Sequence, residues 1–163
     1  MIPDFQIRNI YSSDNEKIAG IIRQSLEDFN AVKKGTVYFE ESTDRLSDSF
    51  TYPNSGYFIL EVSGETAGGA GFYPTAGLEQ NTCELVKMYL SGKFRGLGLG
   101  QTLLTHVMQK AKEKGFEKMY IESMPELTHA ISLYKKNGFE FIDHSLGNSG
   151  HNGCNVWMLK DLI

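Results

Sequence analysis

The stretch Ser91-Gly92-Lys93-Phe94-Arg95-Gly96-Leu97-Gly98-Leu99-Gly100 holds the residues best placed to do chemistry in this chain. It follows an apolar run, Leu85 to Leu90, and opens a helical pattern in which Leu103, Leu104, Val107, Met108 and Ala111 recur on one face. The start of a helix leaves several backbone N–H groups unpaired at the positive end of its dipole. Glycines at 96, 98 and 100 let that backbone close on an anion, and Arg95 adds a forked cation. The combination predicts a phosphate or diphosphate site. Two common phosphate loops are excluded. The P-loop needs Ser or Thr after its Lys, whereas Gly92-Lys93 is followed by Phe94. The dinucleotide fingerprint G-x-G-x-x-G fails from Gly96, where the last position is Gln101, and from Gly98, where it is Leu103. Cys83 and Cys154 match no zinc spacing and are too few for a disulfide framework, so they read as buried thiols in a reducing compartment, and no metal is expected.

These residues need a scaffold, and 163 residues make a single domain over 1–163, since a domain takes about 100–200 residues. The chain is 40% hydrophobic and 22% charged, which excludes a disordered or collagen-like polymer. A net charge of −4 argues against a general nucleic-acid binder. The start, MIPDFQIRNI, lacks the basic and apolar regions of a signal peptide. No apolar run approaches the roughly 18 residues of a membrane span. The expectation is a soluble cytoplasmic protein with neither membrane nor nucleic acid as partner.

Phe5 to Ile10 reads as a strand. A helix then follows Asp14 as N-cap, with Ile18, Ile21, Ile22, Ser25, Leu26 and Phe29 on one side. Residues 30–39 read as a loop, and Glu40 to Phe50 as a weaker helix anchored by Leu46 and Phe50. Strands Tyr57 to Val62 and Ala67 to Tyr73 are joined by the turn Ser63-Gly64-Glu65-Thr66. Gly68, Gly69 and Gly71 in the second strand predict a close approach by a ligand or another backbone. Thr82 to Leu90 is a strong strand, and the helix after the glycine loop ends at Gly115. Lys118 to Met124 is the next strand. A helix from Pro125 or Thr128, marked by Ala130, Ile131, Leu133 and Tyr134, stops at Asn137-Gly138. Strands Phe139 to Asp143 and Cys154 to Lys160 flank a Gly/Asn/Ser loop. The order β-α-α-β-β-β-α-β-α-β-β predicts an α/β sandwich around one mixed sheet.

Arg95-Gly96-Leu97-Gly98-Leu99-Gly100 matches Q/R-x-x-G-x-G/A, the acetyl-coenzyme A pyrophosphate loop of the GNAT superfamily of N-acetyltransferases, which this chain resembles. Ala130-Ile131-Ser132-Leu133-Tyr134-Lys135-Lys136-Asn137-Gly138-Phe139 is similar to that family's second signature, A-x-x-L-Y-x-x-x-G-F, and the element order agrees over nearly all of 5–160. The resemblance implies the GNAT fold, a central mixed, mostly antiparallel sheet of about seven strands flanked by about four helices. It implies transfer of an acetyl group from acetyl-CoA to a primary amine, small molecule or peptide, by direct attack in a ternary complex. The alternative is a catalytically silent CoA-binding module. Homodimers are common in the family, and nothing in this chain demonstrates one.

The resemblance also assigns roles. Met88, Tyr89 and Leu90 supply backbone groups to the pantetheine arm, and the N–H of Leu90 or a neighbour polarises the thioester carbonyl as an oxyanion hole does. Arg95, Gly96, Leu97, Gly98, Leu99, Gly100 and Gln101 hold the diphosphate. Tyr134 protonates the departing thiolate. Glu84, eleven residues before Arg95, is the first candidate for the base that deprotonates the amine, directly or through water. His151, in the loop before the last strand, is the second and His144 a third. The acceptor pocket is expected from segments 28–50, 74–81 and 144–153, with Phe29, Tyr38, Phe39 and Arg45 as candidates beside His151. Many members carry Asn where this chain has Leu127, a departure at the pantetheine contact.

Overall fold

The computed structural model describes residues 3–163. Seven strands form one sheet in the order β1-β2-β3-β4-β5-β7-β6. They are β1 (Phe5–Asn9), β2 (Gly56–Val62), β3 (Glu65–Tyr73), β4 (Thr82–Leu90), β5 (Lys118–Ser123), β6 (Glu140–Ile142) and β7 (Val156–Asp161). The helices are α1 (Asn15–Asp28), α2 (Leu46–Ser49), α3 (Leu99–Glu113) and α4 (Thr128–Lys136). Every strand pair is antiparallel except β4 with β5. The element order is the one the sequence predicts. The weak helix expected over Glu40 to Phe50 is instead a 3-10 turn, Glu41–Arg45, followed by the single α turn of α2. Its few apolar anchors cannot repay the cost of a longer helix. Asp14 stands at the N-cap position of α1, as expected, but its side chain makes no capping bond there. Its carboxylate accepts the N–H of Tyr11 at 2.7 Å and the Arg8 guanidinium at 2.8 and 2.9 Å.

Each sheet face has its own apolar layer. On one, α3 lays Leu99, Leu103, Leu104, Val107 and Ala111 onto Phe58, Leu60, Phe72, Leu85 and Met119. On the other, Ile18, Ile22 and Leu26 of α1, with Leu46 of α2, cover Tyr57 and Ile59. Each fully buried side chain of this size contributes about 1.5–3 kcal/mol. The 3.6-residue period seen in the sequence is therefore the face that meets the sheet.

The glycines of β3 have a specific cause. A Cβ on Gly69 would stand 2.6 Å from Cε1 of Tyr57, and one on Gly71 would stand 2.4 Å from the Gly56 carbonyl oxygen. The approach predicted there is that of the Tyr57 ring and of β2 itself. With the ring lying across β3, the Tyr57 hydroxyl donates to the Lys87 carbonyl at 2.7 Å. Lys87 has φ of +51°, and the β3–β4 register slips by one residue between Gly69↔Tyr89 and Gly71↔Val86. This bulge turns β4 away from its other neighbour.

Candidate active site

The parallel pairing of β4 with β5 runs from Thr82↔Lys118 to Glu84↔Tyr120 and stops there. Beyond it β5 continues its ladder with β7 as far as Ser123↔Val156, while β4 bulges. A cleft therefore opens inside the sheet, with Glu84 at its closed end and Met88, Tyr89 and Leu90 along one lip. The Ser91 N–H donates to Ala67 of β3 at 2.8 Å, so by strand alternation the backbone of Leu90 faces the cleft. The Leu90 carbonyl accepts from Ser25 Oγ at 3.2 Å and from Arg95 Nε at 3.0 Å.

The glycine loop sits at the open end. Gly96 and Gly98 take φ of +78° and +80°, in the left-handed region, and Gly98 is the N-cap of α3. After the Arg95 N–H, the next backbone bond is Thr102 N–H to the Gly98 carbonyl at 3.4 Å. The N–H groups at the start of α3 are thus those a helix leaves unpaired. Leu97 is exposed and Leu99 is buried. Gly100 packs beside Leu133 and Leu90, where a Cβ would fall 3.4 and 3.6 Å from their side chains. Gln101 exchanges amide hydrogen bonds with Asn137, tying the first turn of α3 to the end of α4. The Arg95 guanidinium is used within the protein. It donates to Ser25 Oγ at 2.9 Å and to Asp28 at 3.2 Å, and lies 4.8 Å from the Phe29 ring centroid. Arg95 is a brace between loop and α1, not a free cation at the rim.

Tyr134 of α4 is 5% exposed, its ring edge-on to Phe139 at 5.8 Å. Burial raises its pKa well above the ordinary phenol, so it is protonated at neutral pH.

At the closed end a cavity of ≈ 40 Å³ lies among Glu84, Lys87, Tyr89, Glu122, Leu127, His151 and their neighbours. Glu84 is 3% exposed and accepts from Thr75 Oγ1 at 2.6 Å. Burial, helped by the charge of Glu122 and opposed by the Thr75 bond, raises its pKa to about 7. His151 Nε2 meets Glu40 Oε1 at 2.6 Å, and its Nδ1 lies 3.7 Å from Glu122. Burial opposes protonation of His151, but the bond and charge of Glu40 outweigh it and its pKa is raised. Burial likewise works against the Glu40 anion, yet His151 and Lys87 together hold its carboxyl below the usual range. Glu122 accepts from the Tyr120 hydroxyl at 2.7 Å and from Ser149 Oγ. Glu84, Glu122 and His151 each offer one ligand atom within 4.8 Å of the others, a group that a cation could bridge. Cys154 lines the same cavity, its thiol pushed up to about 12 by burial and held protonated.

Of the acceptor candidates, the structure brings His151 to Glu84 and leaves the others apart. Phe29 lies under Arg95 with its ring 5.8 Å from His129. Tyr38 donates to Glu27 of α1 at 2.9 Å, and Phe39 is exposed against it. Arg45 pairs on the surface with Glu41, and His144 with Asp143. Sequence reasoning missed Glu40 and Glu122. Glu122 carried a signal, a carboxylate inside the apolar strand Lys118–Ser123. Glu40 carried none.

A family model described as acetyltransferase (GNAT) family matches residues 11–139. The uncharacterized N-acetyltransferase YjgM of Escherichia coli (strain K12) is 38% identical over 96% of this chain and 94% of its own. The crystal structure of a GNAT-family acetyltransferase from Staphylococcus aureus Mu50 superposes with a TM-score of 0.86 at 19% identity, over 98% of this chain and all of that one. That of yncA, a putative acetyltransferase from Salmonella typhimurium solved with acetyl-CoA, superposes with 0.76 at 18% identity, over 98% of this chain and 95% of that one.

Proposed function

Because the chain belongs to the acetyltransferase (GNAT) family and is an acyltransferase, we propose that it moves an acetyl group from acetyl-CoA to a primary amine, in one step within a ternary complex. The carrying observation is the cleft between β4 and β5, which runs from the unpaired N–H groups of α3 to a buried carboxyl titrating near neutrality. The diphosphate lies on the backbone of Gly96 to Gln101, as a helix N-terminus favours. The pantetheine arm lies along Met88, Tyr89 and Leu90. The Leu90 N–H, or its neighbour's, donates to the thioester carbonyl as negative charge develops on it.

Glu84 takes a proton from the acceptor ammonium, directly or through water. The freed nitrogen pair attacks the carbonyl carbon, a C–N bond forms, and the C–S bond breaks. Tyr134 gives its proton to the sulfur. An acetylated amine and free coenzyme A leave. A side chain titrating near 7 suits this work, because at neutral pH it is both partly ionised and basic enough to accept a proton. A chain with free Cys83 and Cys154 that consumes acetyl-CoA fits a reducing cytoplasm.

The test is release of free thiol from acetyl-CoA over a panel of amines and peptides, with cofactor binding followed by calorimetry. Binding with turnover on one acceptor class is expected. Binding without turnover on any acceptor would move the protein to a silent CoA-binding module.

A further inference from the structure

The cavity beside Glu84 is lined on one side by His151 of loop 144–153. The loop is held by Leu146 N–H to the Tyr120 hydroxyl at 3.0 Å, by Asn148 N–H to the Ala76 carbonyl at 2.6 Å, and by Gly153 N–H to the Gly35 carbonyl at 3.0 Å. Ser149 and His151 add their bonds to Glu122 and Glu40. These bonds fix the loop, and the cavity beside it, of ≈ 40 Å³, suits a compact group.

Charge in this space does not balance. Three carboxylates, Glu40, Glu84 and Glu122, face two cations, Lys87 and His151. Lys87 lies 3.7 Å from Glu40, and His151 is shared between Glu40 at 2.6 Å and Glu122 at 3.7 Å. Glu122 has only the hydroxyls of Tyr120 and Ser149 at hydrogen-bond distance. Glu84 accepts one hydroxyl on Oε1, and its Oε2 makes no hydrogen bond to any described residue. A buried anion of this kind calls for a counter-charge. Two oxygens that both accept from one ammonium at about 2.8 Å stand about 4.6 Å apart. The Glu84 and Glu122 ligand atoms and the His151 nitrogen lie within 4.8 Å of one another.

We propose that Glu84 and Glu122 form an ammonium subsite, and that the acceptor is a small primary alkylamine with no carboxylate next to its nitrogen; this rests on the acetyltransferase reading above. Glu122 is the specificity-determining residue. It holds the ammonium, with the Tyr120 and Ser149 hydroxyls already on its oxygens, while Glu84 takes the proton. An α-carboxylate on the acceptor would add a fourth negative group in a space already short of positive charge, so amino acids are refused.

The experiment compares acetyl transfer by the full chain to matched pairs that differ only in a carboxylate: propylamine against 2-aminobutyrate, and 2-phenylethylamine against phenylalanine. A tripeptide with a free N-terminus is included. The expected result is a kcat/KM at least about tenfold higher for each amine than for its carboxylated partner. Glu122→Gln should raise the amine KM about tenfold or more, change kcat less, and compress that ratio toward one, with coenzyme A affinity unchanged. Glu122→Asp serves if the amide variant fails to fold. Equal use of both members of a pair, a ratio unmoved in the variant, preference for the tripeptide, or no transfer to any member while coenzyme A binds would each overturn the subsite. So would stoichiometric binding of Zn²⁺ alone that Glu122→Gln abolishes, which would make the group a metal site. Failure of coenzyme A to bind is a different failure, that of the acetyltransferase reading.

Discussion

Burial is the largest influence on the two groups proposed for the proton work, Glu84 and Tyr134. Burial raises both pKa values, leaving the carboxyl at about 7 and the phenol protonated. Glu84→Gln should lower turnover about 100-fold or more and remove the acidic limb of the pH–rate profile near 7. An unaltered profile would assign the base to His151. The same carboxyl acts on stability. Its pKa rises from 4.5 to about 7 on folding, so the stabilisation it gives is full below 4.5 and is lost as pH rises through 7. Glu84→Gln should therefore gain on the wild type between pH 5 and 8, by on the order of 3 kcal/mol. Denaturant melts at both pH values measure this, and an equal difference at the two would refute it. Tyr134→Phe should cut kcat about 10- to 100-fold at unchanged acetyl-CoA KM, a loss confined to the leaving-group proton. Steady-state kinetics at saturating amine decides it, and a wild-type rate removes the acid role. Glu84 was a candidate through the resemblance, by its spacing from Arg95, and the structure puts it in the cavity. Glu122 needs the register Glu84↔Tyr120, which puts it two residues on and on the same face. Glu40 reaches the site through a turn that no periodicity announces.

Elements with strong periodicity were the legible ones. β4 has the predicted bounds, Thr82 to Leu90, and α3 the predicted face. Over 40–50 only Leu46 and Phe50 are strong anchors, and the chain makes a 3-10 turn there. The bulge at Lys87 was not legible, because its cause is Tyr57 reaching across β3 from another strand. The glycines that admit the ring were visible without naming what approaches. Arg95 is similar: its charge could be read from the chain, its engagement by Ser25 and Asp28 could not. The loop-to-helix junction carries its own prediction. Gly98 caps α3 at φ of +80°, beside the N–H groups proposed to hold the diphosphate. Gly98→Glu brings bulk and negative charge to that spot and should weaken coenzyme A binding at least about 100-fold by calorimetry. Unchanged affinity would mean the loop has another purpose.

The whole molecule is a sheet with a layer on each face, and the cleft lies between them. Both layers contribute to it: Met88 and Leu90 pack with the α3 layer, and Tyr89 and Leu127 with the α1 layer. A ligand in the cleft should therefore stabilise the chain as one unit. Acetyl-CoA at a hundred times its Kd adds about 2.7 kcal/mol, or about 5–10 °C in Tm for a chain of this size. Trp157 fluorescence and far-UV circular dichroism should shift together, and a shift in one probe alone would show that the layers unfold separately. The interrupted β4–β5 ladder has one more consequence. A sheet normally has two rims, both at its periphery, but this one has a second pair in its middle. The backbone groups there that no strand pairs are a template onto which a strand of another molecule could add. The twist at Lys87 makes that template a poor match for a flat intruder. A pantetheine arm bound as proposed would fill it. On the proposed reading, acetyl-CoA covers an exposed strand edge as well as supplying the acetyl group.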